Sequence, residues 1–152
     1  MAFKGTKSRD QRSLELEVEN MGAHLNAYTS REQTVYYAKA FKQDVGSAVG
    51  IISDILQNSK LEKQAIERER DVILREQEEV DKQLEEVVFD HLHAVAFAGQ
   101  PLGNTILGPK EHINSIQQTD LQSYIQNNYT ADRMVLVGAG AVDHEELCKL
   151  AE

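Results

Sequence analysis

Apolar and polar positions in the first forty residues predict a helix followed by a β-hairpin. A helix is expected over residues 11–22. Either Asp10 or Ser13 could cap its start, and it closes at Gly22, since helices commonly end at a glycine. Residues 24–30 and 34–41 are rich in β-branched and aromatic side chains and flank a short polar segment. That composition indicates two antiparallel strands joined by a turn.

Helical spacing of apolar residues continues through the middle of the chain. Residues 44–58 carry an apolar stripe, and a second helical region runs from about residue 61 to residue 97. The stripe weakens at residues 81–83, so a bend or a break is expected there. Residues 98–111 hold both prolines and three glycines, which indicates a loop.

The last third of the chain predicts two helices separated by a strand. A short helix is expected with Thr119 as its cap, then a buried strand over residues 133–142, then a final helix capped by Asp143. Together the elements predict an α+β fold in which a mostly antiparallel sheet packs against helices.

Composition and charge narrow the classes of partner. The 152 residues suffice for one domain with a core. The chain has 16 basic and 25 acidic residues, a formal net charge of -9, which argues against nucleic acid and anionic membranes and favours basic ligands or peptides. A single cysteine, Cys148, excludes an internal disulfide and a cysteine-based zinc cluster. No apolar run reaches the ~20 residues of a membrane span.

Two glutamates fall in the apolar stripe of the helix predicted around residues 66–80. With Ile66 set to zero and about 100° per residue, Glu69 lies at ~300° and Glu76 at ~280°, between apolar positions. A buried carboxylate needs a compensating partner. Three explanations fit the pattern. The side chains reach a protein edge or accept hydrogen bonds from a strand, they pair with a basic residue, or they bind a metal ion.

Other candidate groups are less complete. The five histidines form neither H-E-x-x-H nor H-x-x-E-H with the glutamates, so the chain by itself does not hold a complete zinc motif. Glu86 and Asp90 stand four residues apart on one helical face, where like charges repel. Either that face is solvated, or the two acids form a pocket for an arginine or lysine of a substrate.

Several segments of the chain resemble a known family. They are similar to the β subunits of mitochondrial processing peptidase, within the pitrilysin-like (M16) zinc metallopeptidases, over residues 1–6, 19–41, 66–76, 85–93 and 102–109. The resemblance extends over essentially all of the chain. It implies that residues 1–152 form part of the N-terminal domain of such a peptidase.

The resemblance places the missing part of the zinc site before the chain begins. In the family, the inverted motif His-x-x-Glu-His directly precedes the segment that matches residues 1–6. Two zinc ligands and the catalytic base are therefore expected upstream of Met1, and this chain alone is expected to be inactive. Glu76 corresponds to the remaining zinc ligand, and Glu69 to a nearby acid that supports the site.

The resemblance also implies which residues contact substrate. Glu86 and Asp90 match the acids that hold an arginine of basic presequences. Asn26 and Ala27 match the edge strand that a substrate joins through main-chain hydrogen bonds, and Phe3 matches a residue of the apolar pocket beyond the scissile bond.

Asn104 departs from the family pattern, in which an arginine is usual at that position. The sequence assigns no role to this asparagine.

The implied partners are the α subunit of the peptidase, in a heterodimer, and basic presequence peptides, and the implied location is the mitochondrial matrix. No nucleic-acid partner is expected. Two other functions stay open. One is a structural subunit similar to core protein 1 of the cytochrome bc1 complex, against which the acid pair Glu86 and Asp90 argues. The other is an acidic module that binds basic peptides without zinc.

Overall fold

The computed structural model describes all residues from Met1 to Glu152. Its regular elements are seven α-helices and two β-strands. In chain order they are α1 (Gln11–Asn20), β1 (His24–Thr29), β2 (Thr34–Lys39), α2 (Val45–Asn58), α3 (Lys63–Val80), α4 (Leu84–Ala96), α5 (Lys110–Ser115), α6 (Gln118–Asn128) and α7 (His144–Ala151). Three short 3-10 turns lie between them, at Lys42–Asp44, Pro101–Gly103 and Ala131–Arg133.

The chain divides into two compact units. The first unit comprises Met1–Ala27, Tyr36–Leu61 and Thr119–Glu152, and the second comprises Tyr28–Val35 and Glu62–Gln118. The predicted α+β class is confirmed, with β1 and β2 pairing as an antiparallel hairpin. No helix combines the length and the apolar character that crossing a bilayer requires.

Helix α1 shows why its sequence folds locally as predicted. The side chain of Asp10 accepts a hydrogen bond from the N–H of Ser13 at 2.7 Å and so caps the helix. At the other end Gly22 has a φ of 61°, and the N–H groups of residues 22 and 23 donate to carbonyls at the end of the helix. Glycine suits this Schellman arrangement because it adopts a left-handed backbone without steric cost.

The core of the first unit lies between α1 and α2. Leu14, Ile51 and Ile55 are fully buried there, and each contributes about 1.5–3 kcal/mol through removal of its apolar surface from water. Partly buried apolar residues pack against them, namely Ala2, Phe3, Val18, Met21 and Leu25. The core therefore attaches the start of the chain and strand β1 to these two helices.

In the second unit α3 packs against α5. The first turn of α3 buries Ala65 and Ile66, and α5 buries Ile113. The guanidinium of Arg70 donates to the carbonyl oxygens of Ile113 and Ile116 at the C-terminal end of α5. A cation at this end satisfies free carbonyls and interacts favourably with the helix dipole.

The second helical region breaks as the sequence predicts. Helix α3 ends at Val80 and α4 begins at Leu84, with the intervening residues 81–83 forming the turn. Helix α7 likewise has the predicted cap, since the side chain of Asp143 accepts a hydrogen bond from the N–H of Glu146 at 2.9 Å.

The predicted buried strand over residues 133–142 is wrong. The segment has no strand partner, because the only sheet contains β1 and β2. Val135 and Val137 are 87% and 77% exposed. A strand is defined by pairing as well as by composition, and an apolar, β-branched segment without a neighbour stays outside any sheet.

Two helices also differ from expectation. Helix α6 begins at Gln118, so Thr119 lies inside its first turn and is not the cap. Helix α5 was not predicted, since its six residues are too short for a periodic apolar pattern and it is held by contacts to α3.

Candidate functional site

Strand β1 and the first residues of the chain position three of the predicted site residues in the first unit. Asn26 is exposed on β1, and its side-chain oxygen accepts a hydrogen bond from the N–H of Ala27 at 2.8 Å. Because the sheet has only two strands, one edge of β1 is unpaired. Phe3 is half-buried and packs against the core of the first unit. The other four predicted site residues lie in the second unit.

The expectation that Glu69 and Glu76 share a buried stripe on α3 is wrong for Glu76, which is exposed, while Glu69 is half-buried. The covered side of α3 carries Ile66, with Arg70 and Gln77 at ~40° and ~20° from it. The side chain of Gln77 donates a hydrogen bond to the carbonyl of Gly108, just before α5. The two glutamates therefore lie at the border of the covered face, and the exposed carboxylate of Glu76 needs no buried partner.

The side chains of this chain do not form a complete metal site. No group of three histidine, cysteine, aspartate or glutamate side chains comes close enough together to hold a metal ion. Protein zinc is held by three or four such ligands. The exposed carboxylate of Glu76 suits the role of one oxygen ligand. A metal ion bound there would need further ligands besides the side chains that this structure places near Glu76.

Helix α4 carries the acid pair, and the structure places a cation beside it. Glu86 lies in the first turn of α4 and is exposed, where the positive end of the helix dipole favours a carboxylate. Asp90, one turn later, forms an ion pair with the guanidinium of Arg31 from the β1–β2 turn. A cation therefore lies beside the acid pair, and it comes from the same chain.

Sequence reasoning missed Arg31 because it lies 59 residues from Asp90. An arginine in a polar turn gives no local signal of a long-range contact. Asn104 ends the 3-10 turn that begins at Pro101 and has an exposed side chain. Nothing in the structure gives that side chain a chemical role.

A polar cluster around Asp54 in the first unit was also missed. One oxygen of Asp54 accepts hydrogen bonds from the hydroxyls of Thr6 at 2.6 Å and Ser8 at 2.7 Å, and from the Nη1 of Arg9 at 2.7 Å. Its other oxygen accepts from Asn58 at 3.0 Å. Burial alone would raise the pKa of Asp54, but these four donors together lower it well below its ordinary value of 3.8.

Comparison with known proteins identifies the family. Residues 1–110 match the family described as Insulinase (Peptidase family M16), and residues 115–152 match the one described as Peptidase M16 inactive domain. Over its whole length the chain is 81% identical to the mitochondrial-processing peptidase subunit beta of Lentinula edodes and 62% identical to that of Homo sapiens. It spans about a third of those relatives, 33% and 31% of their lengths.

A solved structure of a protease from Helicobacter pylori agrees with the fold. It matches 99% of this chain with a TM-score of 0.90, at 19% identity and over 37% of its own length. The family match and the identities to the two peptidase subunits confirm the resemblance found in the sequence motifs. The chain belongs to peptidase family M16.

Proposed function

We propose that this chain is part of a zinc metalloendopeptidase that removes basic N-terminal presequences from proteins imported into mitochondria. In this proposal it belongs to a β subunit that works in the matrix as a heterodimer with an α subunit. The names of the relatives support a mitochondrial peptidase, and the net charge of -9 suits a basic substrate.

The acidic side chains of α4 are the main structural support for the proposal. The acidic face of α4 already holds a guanidinium, that of Arg31 on Asp90. The exposed carboxylate of Glu86 lies one helical turn away without an ion-pair partner. Glu86 can accept an arginine side chain by the same charge-assisted hydrogen bonds that Asp90 forms with Arg31, so this face suits the arginine of a presequence.

The proposal assigns Glu76 as one zinc ligand and Glu69 as the acid that supports it. Bound zinc supplies a Lewis acid that polarises a scissile carbonyl and lowers the pKa of a coordinated water. The two histidine ligands and the catalytic base are assigned to residues outside this chain, which by itself is then inactive. The exposure of Glu76 suits a ligand that has to meet donors from another segment.

Three residues of the first unit are assigned to the peptide chain of the substrate. Asn26 and Ala27 would offer main-chain groups of the β1 edge to an extended peptide. Because the N–H of Ala27 donates to the Asn26 side chain, that side chain would have to turn away first. Phe3 would line the pocket for the residue that follows the scissile bond.

The decisive experiment uses Glu76→Gln in the full-length protein assembled with an α subunit. Glutamine keeps the shape of the side chain but removes the anionic ligand, so we expect loss of bound zinc and of presequence cleavage. Glu78→Gln is the matched control, since Glu78 is an exposed glutamate on the same helix. Zinc content and cleavage that survive Glu76→Gln would overturn the assignment. Zinc-independent capture of presequence without cleavage would favour the acidic binding module instead.

A further inference from the structure

The ion pair between Arg31 and Asp90 lies within the second unit and is largely removed from water. The side chain of Arg31 is 16% exposed and that of Asp90 is 29% exposed. Arg31 thus occupies the carboxylate of Asp90, which the proposed function assigns to a substrate arginine.

The backbone around Arg31 is fixed independently of this ion pair. The N–H of Ser30 donates to the carbonyl of Gln33 at 2.8 Å and closes the β1–β2 turn. The hydroxyl of Ser30 accepts a hydrogen bond from the N–H of Gln33 at 3.2 Å. The turn therefore keeps its shape when the Arg31 side chain moves, and displacing that side chain does not require the hairpin to unfold.

The Arg31 side chain is incompletely satisfied in this position. Its Nε atom is buried and has no hydrogen-bond partner. An unpaired buried donor loses its hydration without compensation, which offsets part of the attraction between the guanidinium and Asp90. If Arg31 turned outward, the Nε atom would recover water as a partner. The ion pair is therefore weaker than one in which every donor of the guanidinium is paired.

The charges on this face also favour exchange. Glu86, Asp90 and Arg31 together carry one uncompensated negative charge. That charge lies on the exposed Glu86, which has no partner in the chain. A substrate arginine is drawn first to Glu86, one turn from Asp90 on the same helix, and from there it is within reach of Asp90.

We infer that Arg31 is a specificity-determining residue that occupies the arginine position at Asp90, so that a substrate arginine binds by displacing it. This inference rests on the proposed function. It makes recognition an exchange of one guanidinium for another, so the intramolecular arginine lowers the affinity for substrate. It also discriminates against substrate side chains that bind a carboxylate more weakly than arginine does, because a group that cannot replace a guanidinium leaves the ion pair intact.

The test measures arginine preference in the full-length protein assembled with an α subunit. Two presequence peptides are compared, one with arginine and one with the isosteric neutral citrulline at the recognised position. Arg31→Gln removes the competitor. We expect KM for the arginine peptide to fall several-fold, with little change for the citrulline peptide, so the ratio of their kcat/KM values rises.

Two further variants separate competition from general effects. Arg68→Gln removes one exposed positive charge from the same unit and tests long-range attraction, so it should leave the ratio unchanged. Arg31→Lys keeps the charge but loses the two-pronged guanidinium, and it should raise the ratio by less than Arg31→Gln. A ratio that stays constant or falls in Arg31→Gln would overturn the inference. An unsubstituted enzyme with no preference for arginine would instead overturn the proposed function on which the inference rests.

Discussion

Replacing Asp54 by alanine should loosen the attachment of residues 6–9 to helix α2. The substitution removes the acceptor of Thr6, which is fully buried, and of Arg9. The exposed hydroxyl of Ser8 can bond to water instead, and Arg9 keeps a second carboxylate in Glu17, at 2.6 Å. Leaving a buried donor unpaired costs about 1–3 kcal/mol, and a lost hydrogen bond to a charged group about 1.5–3 kcal/mol. The expected total, allowing for this partial compensation, is about 3 kcal/mol.

Two amide protons report on this attachment directly. The N–H of Lys7 donates to the carbonyl of Asn58 at 3.0 Å, and the N–H of Lys60 donates to that of Gly5 at 3.2 Å. Hydrogen exchange at such amides follows the free energy of local opening. A loss of about 3 kcal/mol corresponds to exchange about a hundred times faster. Mass spectrometry of peptides that contain these amides would measure it in the full-length protein.

The control and the pH dependence make this prediction specific. Glu19→Ala removes an exposed carboxylate from the same unit and should leave exchange at both amides unchanged. The folded pKa of Asp54 lies below its ordinary value of 3.8, so its ionised form contributes stability that is fully present above about pH 4 and is lost as pH falls further. The difference in amide protection between the unsubstituted protein and Asp54→Asn should therefore shrink below about pH 4. Unchanged protection of Lys7 in Asp54→Ala at neutral pH would refute the reasoning.

Two predictions concern helix ends. Gly22→Ala should destabilise the first unit by about 1–2 kcal/mol, because alanine is strained at a φ of 61° and its Cβ would lie 3.3 Å from the ring of Phe41. The midpoint of urea unfolding would measure this loss, and an unchanged midpoint would contradict the prediction. Asp143→Ala should cost about 1 kcal/mol by removing the cap of α7. Faster hydrogen exchange at Glu146 would show that loss, whereas Asp143→Asn should retain most of the protection.

Local chemistry explains the parts of the fold that the sequence predicts well. Asp10 and Asp143 cap the helices that follow them, and residues 81–83 interrupt the long helical region, because caps and breaks depend on a few neighbouring residues. The strand expected over residues 133–142 depends instead on a partner strand, which no local pattern specifies.

The same distinction applies to the candidate site. The positions of Glu86 and Asp90 on one face of α4 follow from helical spacing. The exposure of Glu76 depends on which elements cover α3, and the contact of Arg31 with Asp90 joins residues 59 positions apart. Tertiary contacts of this kind need the three-dimensional structure. The assignments of the seven site residues, and of residues 1–152 to part of a peptidase N-terminal domain, stay predictions.

The distribution of tyrosines determines what optical measurements can detect. The chain has five tyrosines and no tryptophan, so its near-ultraviolet absorbance and intrinsic emission come mainly from tyrosine. Four of the five, Tyr36, Tyr37, Tyr124 and Tyr129, lie in the first unit, where the hydroxyls of Tyr36 and Tyr129 are hydrogen-bonded at 3.1 Å. Intrinsic fluorescence therefore reports mainly on the first unit. The second unit, which holds the Arg31–Asp90 pair, contains only Tyr28, so an introduced fluorophore is needed to follow it separately.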